Sequence, residues 1–180
     1  MNSGKASSKI ALCGILTALS VVAMIIAGFM GILTYAAPMI AGGVMIVPVR
    51  EYGKGTALTM FAAVSLLGMI LIPDKEMALF YLLLFGHYPI MQPSLNRIEK
   101  KIPRVILKAL VFNIGTLLSV LLAKLIFAVP VFDSDKPVWL LAAAYLIAAN
   151  ICFALYDSAL LGFYTMYDVR LVPLIKKLFR

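Results

Sequence analysis

Charge is scarce in this 180-residue chain: Asp, Glu, Lys and Arg together make up 13% of it, and there is a single histidine. With 63% hydrophobic residues and a mean hydropathy of +1.03, a soluble domain of this length could not hide its apolar surface from water. Cysteine is nearly absent. Cys13 and Cys152 both lie inside apolar runs, with no C-x-x-C spacing and no histidine nearby, which argues against a disulfide framework, a zinc site or a redox pair. No G-x-x-x-x-G-K-[ST] loop is present, so the chain is not expected to hydrolyse ATP itself. H-E-x-x-H and G-x-S-x-G are also missing. The pairs Tyr156-Asp157 and Tyr167-Asp168 resemble those of intramembrane aspartyl proteases, but the second catalytic Asp in a Gly-x-Gly-Asp setting is lacking. Neither enzymatic activity nor a cofactor is expected.

What the chain does contain is long apolar segments. Residues 10–33 run for roughly 36 Å as a helix, enough to cross a bilayer and too long for a secretory signal peptide. Further candidate helices cover residues 55–72, 77–91, 105–129 and 138–162. Residues 34–49 form a shorter, marginal segment that Pro38, the Gly42-Gly43 pair and Pro48 predispose to bending or unwinding. Gly86, Pro89 and Pro93 punctuate the fourth segment in the same way.

The basic residues decide the topology. Lys5, Lys9, Arg50, Lys54, Arg97, Lys100, Lys101, Arg104, Lys108, Arg170, Lys176, Lys177 and Arg180 fall in alternate gaps or at the ends, whereas the other gaps hold only Lys75 and Lys136. Cytoplasmic loops retain Lys and Arg, so both termini are expected in the cytoplasm. If residues 34–49 did not cross, the three richest basic regions after them would face outward, so six crossings fit better than five. The expected fold is an all-α integral membrane protein of six transmembrane helices, one domain over residues 1–180, in a plasma membrane. The outer gaps are short and acidic, with Asp74, Glu76, Asp133 and Asp135. The formal charge of +8 suits anionic lipid headgroups better than nucleic acid, because the basic residues flank apolar runs without interleaved aromatics.

Polar side chains inside apolar segments are costly, about 2.5 to 3.5 kcal/mol for a charge at the centre, and therefore draw attention. His87 falls near mid-bilayer beside Pro89, which leaves the Phe85 carbonyl without its helical donor. It reads either as a ligand contact or proton-responsive group, or as a neutral histidine satisfying the broken helix or a nearby Asn. Asn113 and Asn150 fall near the same level and read as interhelical glue or as ligand contacts. Lys124 can snorkel outward or present a cation to an anionic solute, with Trp139 and Tyr145 as aromatic neighbours; Trp139 also suits an interfacial belt. Asp157 lies close to the cytoplasmic interface, where Arg50, Arg97 or Arg170 are its candidate ion-pair partners. On the first segment, Gly14 and Ala18 with Ala11, then Ala23, Ala27 and Gly31, form a small-residue stripe that permits close approach of a helix, internal or from another subunit.

Size, six crossings, cytoplasmic termini, absence of an ATP site and this stripe together resemble the substrate-binding S component of energy-coupling factor (ECF) transporters, vitamin-uptake systems of bacteria and archaea. The resemblance is architectural and spans the chain. The family's Ala-x-x-x-Ala scaffold contact corresponds to Gly14-x-x-x-Ala18 with Ala11 nearby. It implies that a vitamin-like micronutrient binds from outside, among the outer halves of the last three helices. Lys124, Trp139, Tyr145 and Asn150 are then ligand candidates, with His87 deeper. It further implies docking, through Ala11, Gly14 and Ala18, on a transmembrane scaffold subunit that carries two ATPases. The short outer loops depart from many S components, whose loops help cover the ligand. MreD-like membrane scaffold proteins share the size and helix count. An autonomous carrier or a lipid-acting membrane protein is a third reading, with the basic stretch 97–108 available to hold a phosphate headgroup.

Overall fold

The computed structural model describes residues 3–31, 33–127 and 138–171, and among these every regular element is helical. Of the charges counted above, Asp133, Asp135, Lys136, Lys176, Lys177 and Arg180 lie outside the described residues, as do the side chains of Lys5 and Arg170. Four helices are long and apolar enough to cross a membrane: Ala6–Met30, Lys54–Leu71, Lys101–Ile126 and Leu141–Val169.

The first helix, α1 (Ser3–Met30), is continuous because nothing in it interrupts the backbone ladder. The next pass through the helical bundle is broken into α2 (Ala36–Val44) and α3 (Ile46–Tyr52). Pro38 and Pro48 each sit in the first turn of their short helix, where a missing N–H costs nothing. Gly53, at a φ of 83°, makes the sharp reversal into α4 (Lys54–Leu71). Asp74 then starts α5 (Lys75–Phe80) by accepting the Met77 N–H at 3.1 Å. This fourth pass swells into a π-helical turn at Tyr81–Phe85 and resumes as α6 (Tyr88–Leu95). The long helices α7 (Lys101–Phe127) and α8 (Val138–Met166) follow, and α8 ends in a second π turn at Tyr167–Leu171.

Side-chain contacts show that successive passes run antiparallel between two poles. At one, the basic pole, Lys9 lies over the Tyr52 ring at 5.7 Å, Lys54 reaches Ser94, and Arg50 pairs with Asp168 at 2.6 Å while covering Tyr164 at 4.7 Å. At the other, the acidic pole, Thr34 donates to Asp74 at 2.9 Å and Tyr35 packs against Phe80 at 5.1 Å. The boundaries move accordingly. The second segment, read as residues 34–49, is two helices reaching Tyr52, and the fourth, read as 77–91, is Lys75 to Leu95 in three pieces. The last helix continues past residue 162 because no Gly or Pro stops it before the second π turn.

The prolines of the fourth pass leave two carbonyls without helical donors, those of Phe85 (four before Pro89) and Pro89 (four before Pro93). Two tyrosines of α8 supply the missing bonds. Tyr156 donates to the Phe85 carbonyl at 3.3 Å, and Tyr164 donates to the Pro89 carbonyl at 2.7 Å. In an apolar surrounding such carbonyls must be satisfied by some donor, which makes α8 a hydrogen-bonding splint for the broken pass. Close approach fixes the other neighbours. A methyl group at Gly115 of α7 would lie 2.5 Å from the Leu83 carbonyl oxygen, and one at Gly42 of α2 would meet the Phe85 carbonyl. The π-helical segment is therefore gripped on two sides by glycines.

Two cores result. One gathers Met24, Met45, Met60, Val64 and Tyr81 between α1, the second pass, α4 and the π turn. The other is aromatic, with Phe80, Phe85, Tyr88, Phe112, Phe153 and Tyr156 between the broken fourth pass, α7 and α8.

Candidate functional site

The aromatic core does not close at the acidic pole. A cavity of about 260 Å³ opens there between the start of α2, the α5–π segment, α7 and α8. Five of its eleven lining residues are aromatic: Tyr35, Phe80, Phe85, Phe112 and Tyr145. Ala148, Ala149 and Cys152 of α8 leave the space, since their small side chains face rings on the opposite wall. The Thr116 hydroxyl donates within its own helix to the Phe112 carbonyl at 3.0 Å, so the floor offers little polarity.

The rim is different in character. Asp74 accepts from Thr34 and from the Met77 N–H, and the Tyr35 hydroxyl lies near the Glu76 carboxyl. Partial burial, reinforced by the charge of Asp74, pushes the Glu76 carboxyl above the usual carboxylate range, against the opposing pull of the Tyr35 hydroxyl. Lys75 does not neutralise these acids; its ammonium caps the end of α4 by donating to the Met69 and Ile72 carbonyls, each at 2.9 Å.

The residues singled out from sequence separate. Tyr145 lines the cavity. Asn113 and Asn150 bond each other reciprocally, both at 3.0 Å, and each also donates to a carbonyl of its own helix, so their amides tie α7 to α8. Lys124 and Trp139 (72% exposed) point away from the protein interior and are not among the lining residues. His87 also lies elsewhere. Its ring stands edge-on to Phe61 at 6.0 Å, while the Phe85 carbonyl expected beside it is taken by Tyr156. Ala11, Gly14 and Ala18 are exposed on α1, and a methyl group at Gly14 would meet nothing within 4 Å. Ala27, further along the same stripe, is buried.

A second polar assembly occupies the half nearer the basic pole. Asp157 is its centre, and its partner is not an arginine. Lys108, only 8% exposed, holds both carboxylate oxygens at 2.9 and 2.7 Å. Tyr88 donates to the same carboxylate at 2.6 Å, and the fully buried Gln92 donates to it at 2.6 Å and to the Asp157 carbonyl at 2.8 Å. Arg50, one of the expected partners, instead bonds Asp168. The reason is position: Lys108 is seven residues into α7, inside the bundle, not in the connecting loop where its charge suggests. Three helices, α6, α7 and α8, meet at this network, and no cavity opens onto it among those described.

No protein-family model, no curated protein and no solved structure matches the chain.

Proposed function

We propose that the chain crosses a prokaryotic plasma membrane six times with both termini in the cytoplasm, and that it is the solute-binding subunit of a micronutrient uptake system driven by separate ATPases. The observation that carries this reading is the aromatic cavity at the acidic pole. It is small, concave and largely apolar, with a few polar groups concentrated at its rim, the usual make-up of a small-molecule site. The retention of Lys and Arg on the cytoplasmic side would turn the cavity mouth outward. An outward-facing site with no nucleotide loop in the chain fits a subunit that draws on the energy of another, and the bare half of the α1 stripe at Ala11, Gly14 and Ala18 offers a close-packing face for one. This is the arrangement of an ECF S component bound to its scaffold.

The same bare face favours, as a second reading, a membrane scaffold of the MreD-like kind. The two differ in what the cavity does. Native mass spectrometry of gently extracted protein tests both at once: bound small solute together with a scaffold and ATPases supports the transport reading. Recovery of envelope-synthesis partners without solute would reject it.

A further inference from the structure

Resting on the reading of the cavity as the solute site, we propose that its solute is a flat organic cation, an amine or quaternary nitrogen carried by an aromatic ring system, and not a carboxylate or phosphate. Three independent features converge on this class. The walls are ring faces and edges, with Tyr35 and Phe80 in contact at the mouth and Phe112 stacked on Phe153 at 4.3 Å behind the floor. Such surfaces stack a flat ring and attract a positive charge. Next, among the described residues no Lys, Arg or His lines the cavity. An anion placed there would lose water with only the neutral Tyr35 and Tyr145 hydroxyls to replace it and no cation among the described lining residues, which is unfavourable.

The third feature is the rim. Asp74 and Glu76 stand at the mouth, and among the described residues neither forms an ion pair. Lys75, the cation next to both in sequence, is held by the α4 carbonyls. Glu76 lies near the Tyr35 hydroxyl, and Tyr35 lines the cavity, so negative charge lies within about one side chain of the space. The volume of about 260 Å³ suits a one- or two-ring solute with a short side chain.

The test uses full-length protein in phosphatidylcholine nanodiscs, titrated calorimetrically with three indoles of equal ring and different charge: tryptamine (cation), indole-3-ethanol (neutral) and indole-3-acetate (anion). Tryptamine is expected to bind roughly tenfold or more tightly than indole-3-acetate, since one cation–π contact or one rim carboxylate each supplies that order of discrimination. Glu76→Gln should remove most of this preference, weakening tryptamine several-fold more than indole-3-ethanol. Ala149→Phe, and Ala148→Phe in case the first variant does not fold, fill the cavity and should abolish binding of all three. If an indole binds and is lost on filling but the cation is not preferred, the substrate class is wrong and the cavity remains the solute site. Absence of binding by all three probes, or binding indifferent to both filled variants, overturns the proposal together with the cavity reading.

Discussion

Removal of one hydroxyl, Tyr164→Phe, isolates the splint between α8 and the broken fourth pass. The ring keeps its contact with Arg50 (4.7 Å), so only the 2.7 Å bond to the Pro89 carbonyl is lost. That carbonyl lies in the bundle, and Pro93 cannot supply a donor, so the variant strands a buried acceptor. A stranded acceptor costs about 1–3 kcal/mol in soluble proteins, and interhelical side-chain bonds in membranes average about 0.6 with a maximum near 1.7. The expected loss is therefore about 1–2 kcal/mol. Pro93→Ala returns an N–H four residues along from Pro89, and in that background the same Tyr164→Phe change should cost less than about 0.5 kcal/mol. The assay is reversible unfolding by SDS in mixed micelles, followed by far-UV circular dichroism, with all four members of the cycle measured. Equal cost of Tyr164→Phe in both backgrounds would refute the reasoning, because it would mean the hydroxyl was not replacing the proline's missing donor.

The Lys108–Asp157 network yields a larger effect. Lys108→Met should destabilise by about 3–5 kcal/mol, since it leaves a buried carboxylate without its cation, whereas Lys108→Met with Asp157→Leu should recover much of the loss. Singles within about 0.5 kcal/mol of wild type in the same SDS titration would show that the pair is solvated. Glycine packing gives a contrast: Gly115→Ala should cost about 1–3 kcal/mol by forcing α7 off the Leu83 carbonyl, and Gly14→Ala, which meets open space, close to nothing. Thermal unfolding of the two variants checks this. For Glu76, the folded carboxyl holds its proton more tightly than the unfolded one, so stability should fall as pH rises from about 4.5 through the raised value. Glu76→Gln should flatten that slope, and unfolding midpoints measured from pH 4 to 7 would show whether it does.

The helices could be read from the chain because long apolar runs are collective signals, spread over many residues. Even the short second segment was legible, since its prolines mark where the helix restarts. The tyrosine splint was half-visible: Pro89 announces a free Phe85 carbonyl, but nothing local names Tyr156, 71 residues away, as the donor. Lys108 was counted with the basic gap because four basic residues precede it closely from Arg97, although the expected helix over 105–129 contains it; its depth follows from α7 beginning at Lys101, and helix starts are weakly encoded. The cavity was hidden for another reason. Its rings come from four separate segments with no common period, and only Tyr145 lay among the residues whose polarity drew notice. Lys124 and Trp139 drew notice because charge and size stand out in apolar helices, and both have the alternative of facing away from the protein.

The π-helical turn at Tyr81–Phe85 makes the fourth pass a gear with one extra tooth. An ordinary helix advances about 100° per residue, so the widened turn absorbs one surplus residue, and winding it into a regular α-helix with every residue kept would turn everything beyond it by about that angle. Phe80, on the near side, would keep facing the cavity, while Tyr88 and Gln92 would swing off the Asp157 carboxylate. The two halves of the molecule are thus phased to one another through five residues, and any winding or unwinding of that turn moves the far network as it reshapes the cavity wall.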